Sequence, residues 1–511
     1  MLNPVRGRVS LVGAGPGDPG LLTLDGARRL GEADVVLYDY LANDALLRHA
    51  RADAETVCLG RHGAGKLWTQ AQINERMIAE ALAGKTVVRL KGGDPSVFGR
   101  LAEEIAACQA ADIPYEIIPG VTTAVAAGAY AGVTMTDRDR ASCVALVTGH
   151  ERADGNGSNA GLFDKLAAFP GTLVVYMGVT TAPAWSQRLI AAGKPAETPV
   201  TIVRRCSLPD QQTIHGTLGE LPTILAPQRI RPPLVVVIGD VAAMPDAVNW
   251  FTSRPLFGKT VLVTRPVGQA EAMVQRLSDL GARVLLQPTI EIGPPEDLAP
   301  LDAAIERLAD YDWVAFSSRN GVNALLGRME QLGRDARAFG NARIAAIGPA
   351  TRDALAEWRL SADLTPDEYR AEALAAELAE EASGKRALLI RASRGREVLA
   401  ETLREAGANV DQVVAYESRD LNTASQEILE AIASSEVDWI TATSSAIARS
   451  AAMLLGPAIA SAATRPKFAA ISPLTATALE ESGYPASAVA TDYMADGVVD
   501  AILTAEASRR A

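Results

Sequence analysis

The chain has 511 residues, of which 48% are hydrophobic and 22% charged, and its formal net charge is -12. A single hydrophobic core stops growing at about 250–300 residues, so this length predicts more than one domain. The acidic balance without a basic run argues against a nucleic-acid partner. We expect a cytoplasmic protein without a membrane segment, because neither a signal peptide nor an apolar stretch of about 18 residues is found.

The first predicted strand, Val9 to Val12, ends in a glycine-rich turn that extends to Asp18, and a helical pattern follows. This outline is that of a loop that binds phosphate at a helix N-terminus. The dinucleotide fingerprint, however, needs glycine where Asp18 stands. Pro16 also removes an N–H group from the turn, and Asp25 adds a negative charge nearby. The turn therefore favours a cationic or neutral ligand over a pyrophosphate.

Five further apolar runs in the first half are each followed by an unusual loop. These loops begin at Asp39, Lys91, Pro119, Met177 and Arg204. Ligands of open α/β sheets bind outside the carboxyl ends of the strands, so we expect the loops to collect around one cleft. Taken singly, each loop has a simpler explanation as a turn, a helix cap or core packing. The sequence contains no Walker phosphate loop.

The second half contains an internal repeat. Arg265 aligns with Arg391 and Gly281 with Gly407, both at an offset of 126 residues. A repeat of this length predicts two similar α/β lobes with parallel sheets. The proline-containing stretch before it is the main boundary, so we expect a first domain over 1–245, a linker over 246–258 and a second domain over 259–511. The scattered cysteines and histidines predict neither a disulfide nor a zinc site.

Five motifs stand out in the first half: VGAGPGDPGLLTLDGA, VVLYDYL, RLKGGDPSVFGR, PGVTTA and TGH. Together they resemble those of uroporphyrinogen-III C-methyltransferases, in the tetrapyrrole methylase superfamily, and the similarity runs from residue 8 to about 245. The resemblance implies a two-lobed methylase that uses S-adenosylmethionine without a metal and acts on small-molecule tetrapyrroles. It also implies a homodimer formed through the methylase half.

The same resemblance implies a donor site and two catalytic groups. The donor-site positions that it carries over are Pro16, Gly92, Gly93, Asp94, Val97, Thr122, Thr123, Met177 and Cys206. Asp39 matches the family's proton acceptor, and Arg61 stands where the family's proton donor is a lysine. Arginine keeps its proton far above neutral pH. Either the role of this position is electrostatic, or His62 or Lys66 substitutes.

The substrate that the resemblance implies, uroporphyrinogen III, carries eight carboxylates, so its site needs cations, and arginine can pair with carboxylates in a bidentate manner. The candidates in the methylase half are Lys91, Arg138, Arg204 and Arg205, for each of which a solvated surface charge is the simpler explanation.

The second half contains TRP at 264–266, FSSRNGV at 316–322, Thr351 and Thr475. These features resemble those of uroporphyrinogen-III synthases. The resemblance implies a two-lobed flavodoxin-like fold in which 259–290 packs with 418–505, while 295–415 forms the other lobe. Tyr416 matches a tyrosine that helps water to leave. The positions that would hold substrate carboxylates are Ser318, Asn320, Ser444 and Thr475, with a core or capping role as the alternative for each.

We therefore expect an α/β chain with a two-lobed methylase fold followed by a two-lobed synthase fold. The synthase half would cyclise hydroxymethylbilane to uroporphyrinogen III, and the methylase half would methylate this product twice to give precorrin-2. One alternative is an active methylase whose C-terminal half is a non-catalytic tetrapyrrole-binding or docking module. Another is a methylase of a later corrin, diphthamide or RNA. Siroheme and cobalamin routes both remain open.

Overall fold

The computed structural model describes residues 6–60, 68–150, 161–226, 230–243, 249–395 and 397–510. The chain divides into two units, Met1–Gly258 and Lys259–Ala511. In the described residues, each unit holds two five-stranded sheets. The predicted catalytic residue Arg61 lies outside the described residues, as do His62 and Lys66.

The first lobe of the first unit has a parallel sheet with the strand order β3-β2-β4-β1-β5. Its strands are β1 (Arg8–Gly13), β2 (Val35–Tyr38), β3 (Glu55–Cys58), β4 (Thr86–Lys91) and β5 (Tyr115–Ile118). Its helices are α1 (Leu24–Glu32), α2 (Gln70–Leu82) and α3 (Leu101–Ala110). Helix α4 (Thr123–Tyr130) follows β5, and its buried residues share a core cluster with strands of the second lobe. Apolar runs form β1, β2 and β4 because these strands are buried on both faces of the sheet.

The second lobe has a mixed sheet with the order β6-β7-β10-β8-β9. Its strands are β6 (Val144–Thr148), β7 (Thr172–Tyr176), β8 (Pro199–Arg204), β9 (Gln212–Thr217) and β10 (Leu234–Ile238). Its helices are α5 (Leu162–Leu166), α6 (Ala182–Ala191) and α7 (Leu221–Ile224). Strand β10 runs antiparallel to both β7 and β8, so the carboxyl ends of β7 and β8 lie at the same edge.

Part of the segment predicted as a linker packs against the first unit. In 249–258, Phe251 and Leu256 are buried, and the Trp250 indole donates a hydrogen bond to the Ala129 carbonyl at 2.8 Å. The Tyr130 ring lies 5.3 Å from that of Trp250 and 4.8 Å from that of Phe251. These aromatic contacts fix the end of the segment to the first unit.

The third lobe, in the second unit, has a parallel sheet with the order β12-β11-β18-β19-β20. Its strands are β11 (Thr260–Val263), β12 (Arg283–Leu286), β18 (Trp439–Ala442), β19 (Lys467–Ala470) and β20 (Ala486–Val489). Its helices are α8 (Val267–Asp279), α14 (Gln426–Ala433), α15 (Ser445–Ser461), α16 (Pro473–Glu481) and α17 (Ala495–Arg510). The predicted crossing of the chain between lobes is confirmed.

The fourth lobe has a sheet with the order β13-β17-β16-β14-β15. Its strands are β13 (Ile290–Gly293), β14 (Trp313–Phe316), β15 (Arg343–Ala346), β16 (Arg386–Ala392) and β17 (Asn409–Asp420). Its helices are α9 (Ala299–Glu306), α10 (Arg319–Gln331), α11 (Pro349–Glu357), α12 (Ala371–Ala382) and α13 (Val398–Glu405). The prediction of parallel sheets is wrong for β13, which pairs antiparallel with β17. Strand β17 extends beyond the residues that pair with β16, and β13 pairs with this extension.

Within the described residues, no helix combines the length and the apolar character needed to cross a lipid bilayer.

A buried charge cluster joins α17 to the third-lobe sheet. The Glu506 carboxylate, 7% exposed, accepts hydrogen bonds from Lys467 at 2.6 Å and from the Trp439 indole at 3.0 Å, and Lys259 lies 3.4 Å away. Burial alone would raise the pKa of Glu506, but these donors and the Lys259 charge lower it to about 2, below its ordinary 4.5. Glu506 therefore stabilises the folded state above pH 4.5, and this contribution is lost as the pH falls toward 2.

We expect Glu506→Gln to lower the free energy of unfolding at pH 7 by up to about 3 kcal/mol, because the pKa difference converts to that amount. The difference in the free energy of unfolding between wild type and variant should disappear between pH 4.5 and 2. Urea unfolding across this pH range measures it. Glu481→Gln is the control, because Glu481 is 61% exposed and lies 3.5 Å from Arg449. Equal losses in the two variants would contradict the expectation.

Candidate active sites

Four glycines bring together the loops that follow β1, β4 and β5. A Cβ on Gly120 would lie 2.3 Å from the Gly93 carbonyl oxygen and 2.8 Å from the Gly13 Cα. Gly15 and Gly93 also exchange two backbone hydrogen bonds, of 3.1 and 2.8 Å. These glycines are needed because backbone packs directly on backbone. The glycine-rich turn is thus used to join strand-end loops.

Asp18, the residue that breaks the dinucleotide fingerprint, links the two lobes of the first unit. Its carboxylate accepts hydrogen bonds from the Gly20 amide at 2.8 Å and the Tyr130 hydroxyl at 2.7 Å. Its own amide donates to the Ser207 hydroxyl at 2.9 Å. The carboxylate is therefore committed to fixing the turn.

The predicted donor-site residues of the first lobe lie close together. Gly93 has the left-handed φ of 70° and faces Thr122, whose Cα would be 4.0 Å from a Cβ on Gly93. Asp94 accepts hydrogen bonds from the Ser96 amide at 2.8 Å and from the Gly120 amide at 3.0 Å. Burial alone would raise the pKa of Asp94, but a hydrogen bond from the Ser96 hydroxyl, together with these two, lowers it. Asp94 thereby ties the β4 loop to the β5 loop. Pro16 and Val97 are half-buried in the same loops.

Tyr176, which the sequence did not single out, links the lobes at this edge. Its hydroxyl lies 2.8 Å from the Thr122 hydroxyl and accepts a hydrogen bond from the Ala124 amide at 2.8 Å, next to Thr123. Its ring lies 5.1 Å from that of Phe98. Met177 follows with a φ of 52° and is 47% exposed. The sequence signal was an aromatic residue at the end of an apolar strand.

Cys206 contributes to the core of the second lobe. Its side chain is buried, and burial raises the pKa of its thiol to about 12. Its carbonyl oxygen approaches the glycine-rich turn, because a Cβ on Gly17 would lie 3.1 Å from it. Cys206 therefore meets this edge through its backbone rather than through its thiol.

The predicted proton acceptor Asp39 lies above a buried charge network. Its carboxylate accepts hydrogen bonds from the Arg89 guanidinium at 2.5 Å and the Gly92 amide at 3.3 Å. Arg89 also donates to Glu104 at 3.0 Å, and Lys91 donates to the other oxygen of Glu104 at 2.7 Å. The pairing satisfies three buried charges, which would otherwise be costly. Arg89 and Glu104 were missed, although two cations within the apolar strand β4 are a visible signal.

The structure contradicts the sequence prediction for Lys91, which named this residue as a candidate cation for substrate carboxylates. It is 2% exposed and paired with Glu104. Burial, reinforced by the Arg89 charge, lowers the pKa of its ammonium group. Arg204 donates to the Arg231 carbonyl at 2.9 Å, and Arg205 lies 2.5 Å from Asp210. Arg138 is exposed and remains a candidate.

The edge of the first unit where these strand-end loops meet suits a donor with positive charge and no phosphate. Its apolar residues Leu41, Phe98 and Met177 are each about two-fifths exposed or more. The two cations of β4 are directed into the protein toward carboxylates, whereas Asp39 remains 30% exposed. A sulfonium-bearing ligand fits this charge distribution.

In the second unit, three predicted residues meet where α10 begins. The Tyr416 hydroxyl lies 2.9 Å from the Ser318 hydroxyl, and Asn320 also forms a hydrogen bond with Tyr416. Burial raises the pKa of Tyr416, although these two hydrogen bonds oppose the effect. Tyr416 lies within β17.

Ser444 and Thr475 lie apart, in the third lobe, at helix starts. Ser444 caps α15 by accepting a hydrogen bond from the Ile447 amide at 3.1 Å. Thr475 is buried in the first turn of α16, and its amide donates to the Ser472 hydroxyl at 3.3 Å. Among the hydrogen bonds of the described residues, none joins either residue to Tyr416. Ser318 likewise caps α10, 126 residues before Ser444.

In comparisons with known proteins, two family models match this chain. Tetrapyrrole (Corrin/Porphyrin) Methylases match residues 8–222, and Uroporphyrinogen-III synthase HemD matches residues 271–500. A porphyrin biosynthesis protein HemD from Ruminiclostridium josui is 35% identical over 440 residues, covering 86% of this chain and 87% of the relative. The chain belongs to the family of this porphyrin biosynthesis protein HemD. As predicted, a tetrapyrrole methylase unit precedes a uroporphyrinogen-III synthase unit, and both are enzyme units.

Siroheme synthase of Zymomonas mobilis is 44% identical over 252 residues, covering 49% of this HemD-family chain and 52% of the relative. The chain thus spans about half the length of that relative. A solved structure of uroporphyrin-III C-methyl transferase from Thermus thermophilus, complexed with S-adenyl homocysteine, is 38% identical. It covers 46% of this chain and 98% of that chain, with a TM-score of 0.40. The bifunctional prediction is confirmed, and a non-catalytic C-terminal half is not favoured.

Proposed function

We propose that this chain catalyses two consecutive reactions. The synthase unit cyclises hydroxymethylbilane to uroporphyrinogen III, with inversion of the last pyrrole ring. The methylase unit then adds two methyl groups from S-adenosylmethionine to give precorrin-2. One observation supports the pairing above all: a single chain contains both families, and the product of one is the substrate of the other. The test supplies the purified chain with hydroxymethylbilane, with and without S-adenosylmethionine, and identifies the product formed in each case.

In the methylase unit, we propose that alignment supplies most of the catalysis, because methyl transfer is a one-step displacement at an activated carbon. The nine donor-site positions hold the donor mainly through backbone groups. Asp39 accepts the proton that the substrate releases. The Arg89 guanidinium and the Gly92 amide orient its carboxylate for this task.

In the synthase unit, we propose that Tyr416 donates a hydrogen bond to the departing hydroxyl group. Its raised pKa keeps the phenol protonated at neutral pH. Ser318 and Asn320 orient the phenol, and hydroxyl and backbone donors at the starts of α10, α15 and α16 hold substrate carboxylates. This chemistry requires neither a protein nucleophile nor a metal ion.

We also propose the location, the oligomeric state and the partners of the enzyme. We infer a cytoplasmic homodimer, formed through the methylase half, that acts on small-molecule tetrapyrroles and binds neither nucleic acid nor membrane. The net charge of -12 supports the absence of a nucleic-acid partner. Both the siroheme and the cobalamin routes would consume its product.

We propose that Arg61 acts through its charge on substrate carboxylates rather than as a proton donor, because its guanidinium stays protonated. Arg61→Lys should then change turnover little, whereas Arg61→Ala should raise the Michaelis constant for uroporphyrinogen III. Turnover against pH for wild type and both variants measures this. A lysine variant that gains about tenfold in turnover, with a new basic limb in its profile, would instead identify this position as the proton donor.

A further inference from the structure

Arg265 carries an unpaired charge at the carboxyl end of β11. Its Nε atom is buried without a hydrogen-bond partner. Among the described residues, no hydrogen bond or ion pair to its guanidinium is found. Burial lowers its pKa, and the like charge of Arg319 lowers it further. The Arg265 side chain is half-buried, and leaving a partly desolvated charge without a partner is costly, so this position calls for an anion from outside the chain.

The internal repeat provides a comparison inside the same unit. Arg391 occupies the equivalent place on β16, 126 residues later. Its guanidinium bonds to Gln412 at 2.9 Å and to the Ala392 carbonyl at 3.2 Å, and it forms an ion pair with Glu397. The same residue type at the same strand end is therefore neutralised in the fourth lobe and left unpaired in the third.

Arg265 also lies beside the cluster that contains Tyr416. Gln269 lies four residues after Arg265, in the first turn of α8, and its side chain donates a hydrogen bond to Asn320 at 2.7 Å. Asn320 and its neighbour Ser318 both bond to the Tyr416 hydroxyl. The start of α8 in the third lobe therefore meets the start of α10 in the fourth at the proposed synthase site.

We propose that Arg265 is a substrate-binding residue of the synthase unit that pairs with a carboxylate of the linear tetrapyrrole. This inference rests on the proposed synthase reaction. A guanidinium matches a carboxylate with two parallel hydrogen bonds, and partial burial strengthens such a pair. Arg319 nearby is itself paired with Glu357 at 2.6 Å, which leaves Arg265 as the guanidinium available to bind an anion. The contact would hold the substrate against the Tyr416 cluster.

The test uses the full chain with Arg265→Gln, Arg265→Lys and Arg391→Gln. Initial rates of uroporphyrinogen III formation are measured against hydroxymethylbilane concentration, and the melting temperature of each variant is recorded. We expect Arg265→Gln to raise KM about tenfold or more, since a hydrogen bond to a charged group is lost. Arg265→Lys should recover part of this loss, and Arg391→Gln should stay within about twofold of wild type. The melting temperature of Arg265→Gln should stay level or rise, because an unpaired and partly buried charge is removed.

A KM of Arg265→Gln within about twofold of wild type would overturn the inference, whatever happens to kcat. So would an equal rise of KM in Arg391→Gln. A lower melting temperature that lysine restores, together with an unchanged KM, would show that Arg265 serves only the fold. If the wild-type chain forms only the type I isomer, the proposed synthase function itself fails, and that result is distinguishable from a KM that does not move.

Discussion

Replacement of Asp39 by asparagine should slow methylation by about 100-fold or more, the scale expected when a general base is lost. Asparagine keeps an acceptor for Arg89, so the buried network below it and the fold should persist. Donor binding should also persist, because the donor-site positions contribute mainly backbone groups. Turnover of uroporphyrinogen III and the dissociation constant of S-adenosylmethionine, measured on the same preparation, separate the two effects.

Asp34→Asn is a matched control at the opposite end of the same strand. Asp34 precedes β2, and its carboxylate accepts a hydrogen bond from the Thr86 amide at 2.8 Å and lies 3.2 Å from Arg51. It therefore has the same kinds of partner as Asp39, away from the cleft. Unchanged turnover in Asp39→Asn while methylation is rate-limiting, or an equal loss in Asp34→Asn, would reduce Asp39 to a structural carboxylate.

Tyr416→Phe should lower kcat for uroporphyrinogen III formation by about 100-fold, because the departing hydroxyl group loses its hydrogen-bond donor. The ring remains in place and the buried site gains no charge, so the fold should be retained. The fraction of type III isomer should fall as the uncatalysed closure competes. Initial rates and isomer analysis by chromatography measure both quantities.

Tyr311→Phe provides the control for this variant. Tyr311 lies before β14, at the opposite edge of the same sheet, and its hydroxyl donates to Asp411 at 2.7 Å. Burial, with the Asp411 carboxylate, raises its pKa to about 12, so it too is a buried, protonated phenol. If both variants lose activity equally, or if Tyr416→Phe keeps its kcat, Tyr416 has no role in the departure of water.

The sequence predicted the strands that position the methylase site because apolar runs ending in glycine or charged residues are local signals. The observed strands β2, β5 and β7 match the predicted runs, and their ends meet as expected. The partners of Asp39 could not be predicted in this way. Arg89 lies 50 residues away and reaches Asp39 only because β2 and β4 pair in parallel, with Leu37 opposite Arg89. Such pairing is a property of the sheet rather than of either strand.

The second unit shows the same limit in another form. The repeat offset identified equivalent positions such as Ser318 and Ser444, both of which cap helices. It could not show that one of them contacts Tyr416 and the other does not. The repeat also made Arg265 and Arg391 equivalent positions. It could not show that Arg391 is neutralised, because its partners come from β17 and from the start of α13. Only the folded unit distinguishes them.

The most direct measurement is the product formed by the purified full chain from hydroxymethylbilane. With S-adenosylmethionine present, mass spectrometry and absorbance should show a dimethylated tetrapyrrole, precorrin-2. Without it, isomer analysis should show uroporphyrinogen III. Formation of only the type I isomer would contradict the synthase assignment, and type III product that stays unmethylated with S-adenosylmethionine present would contradict the methylase assignment.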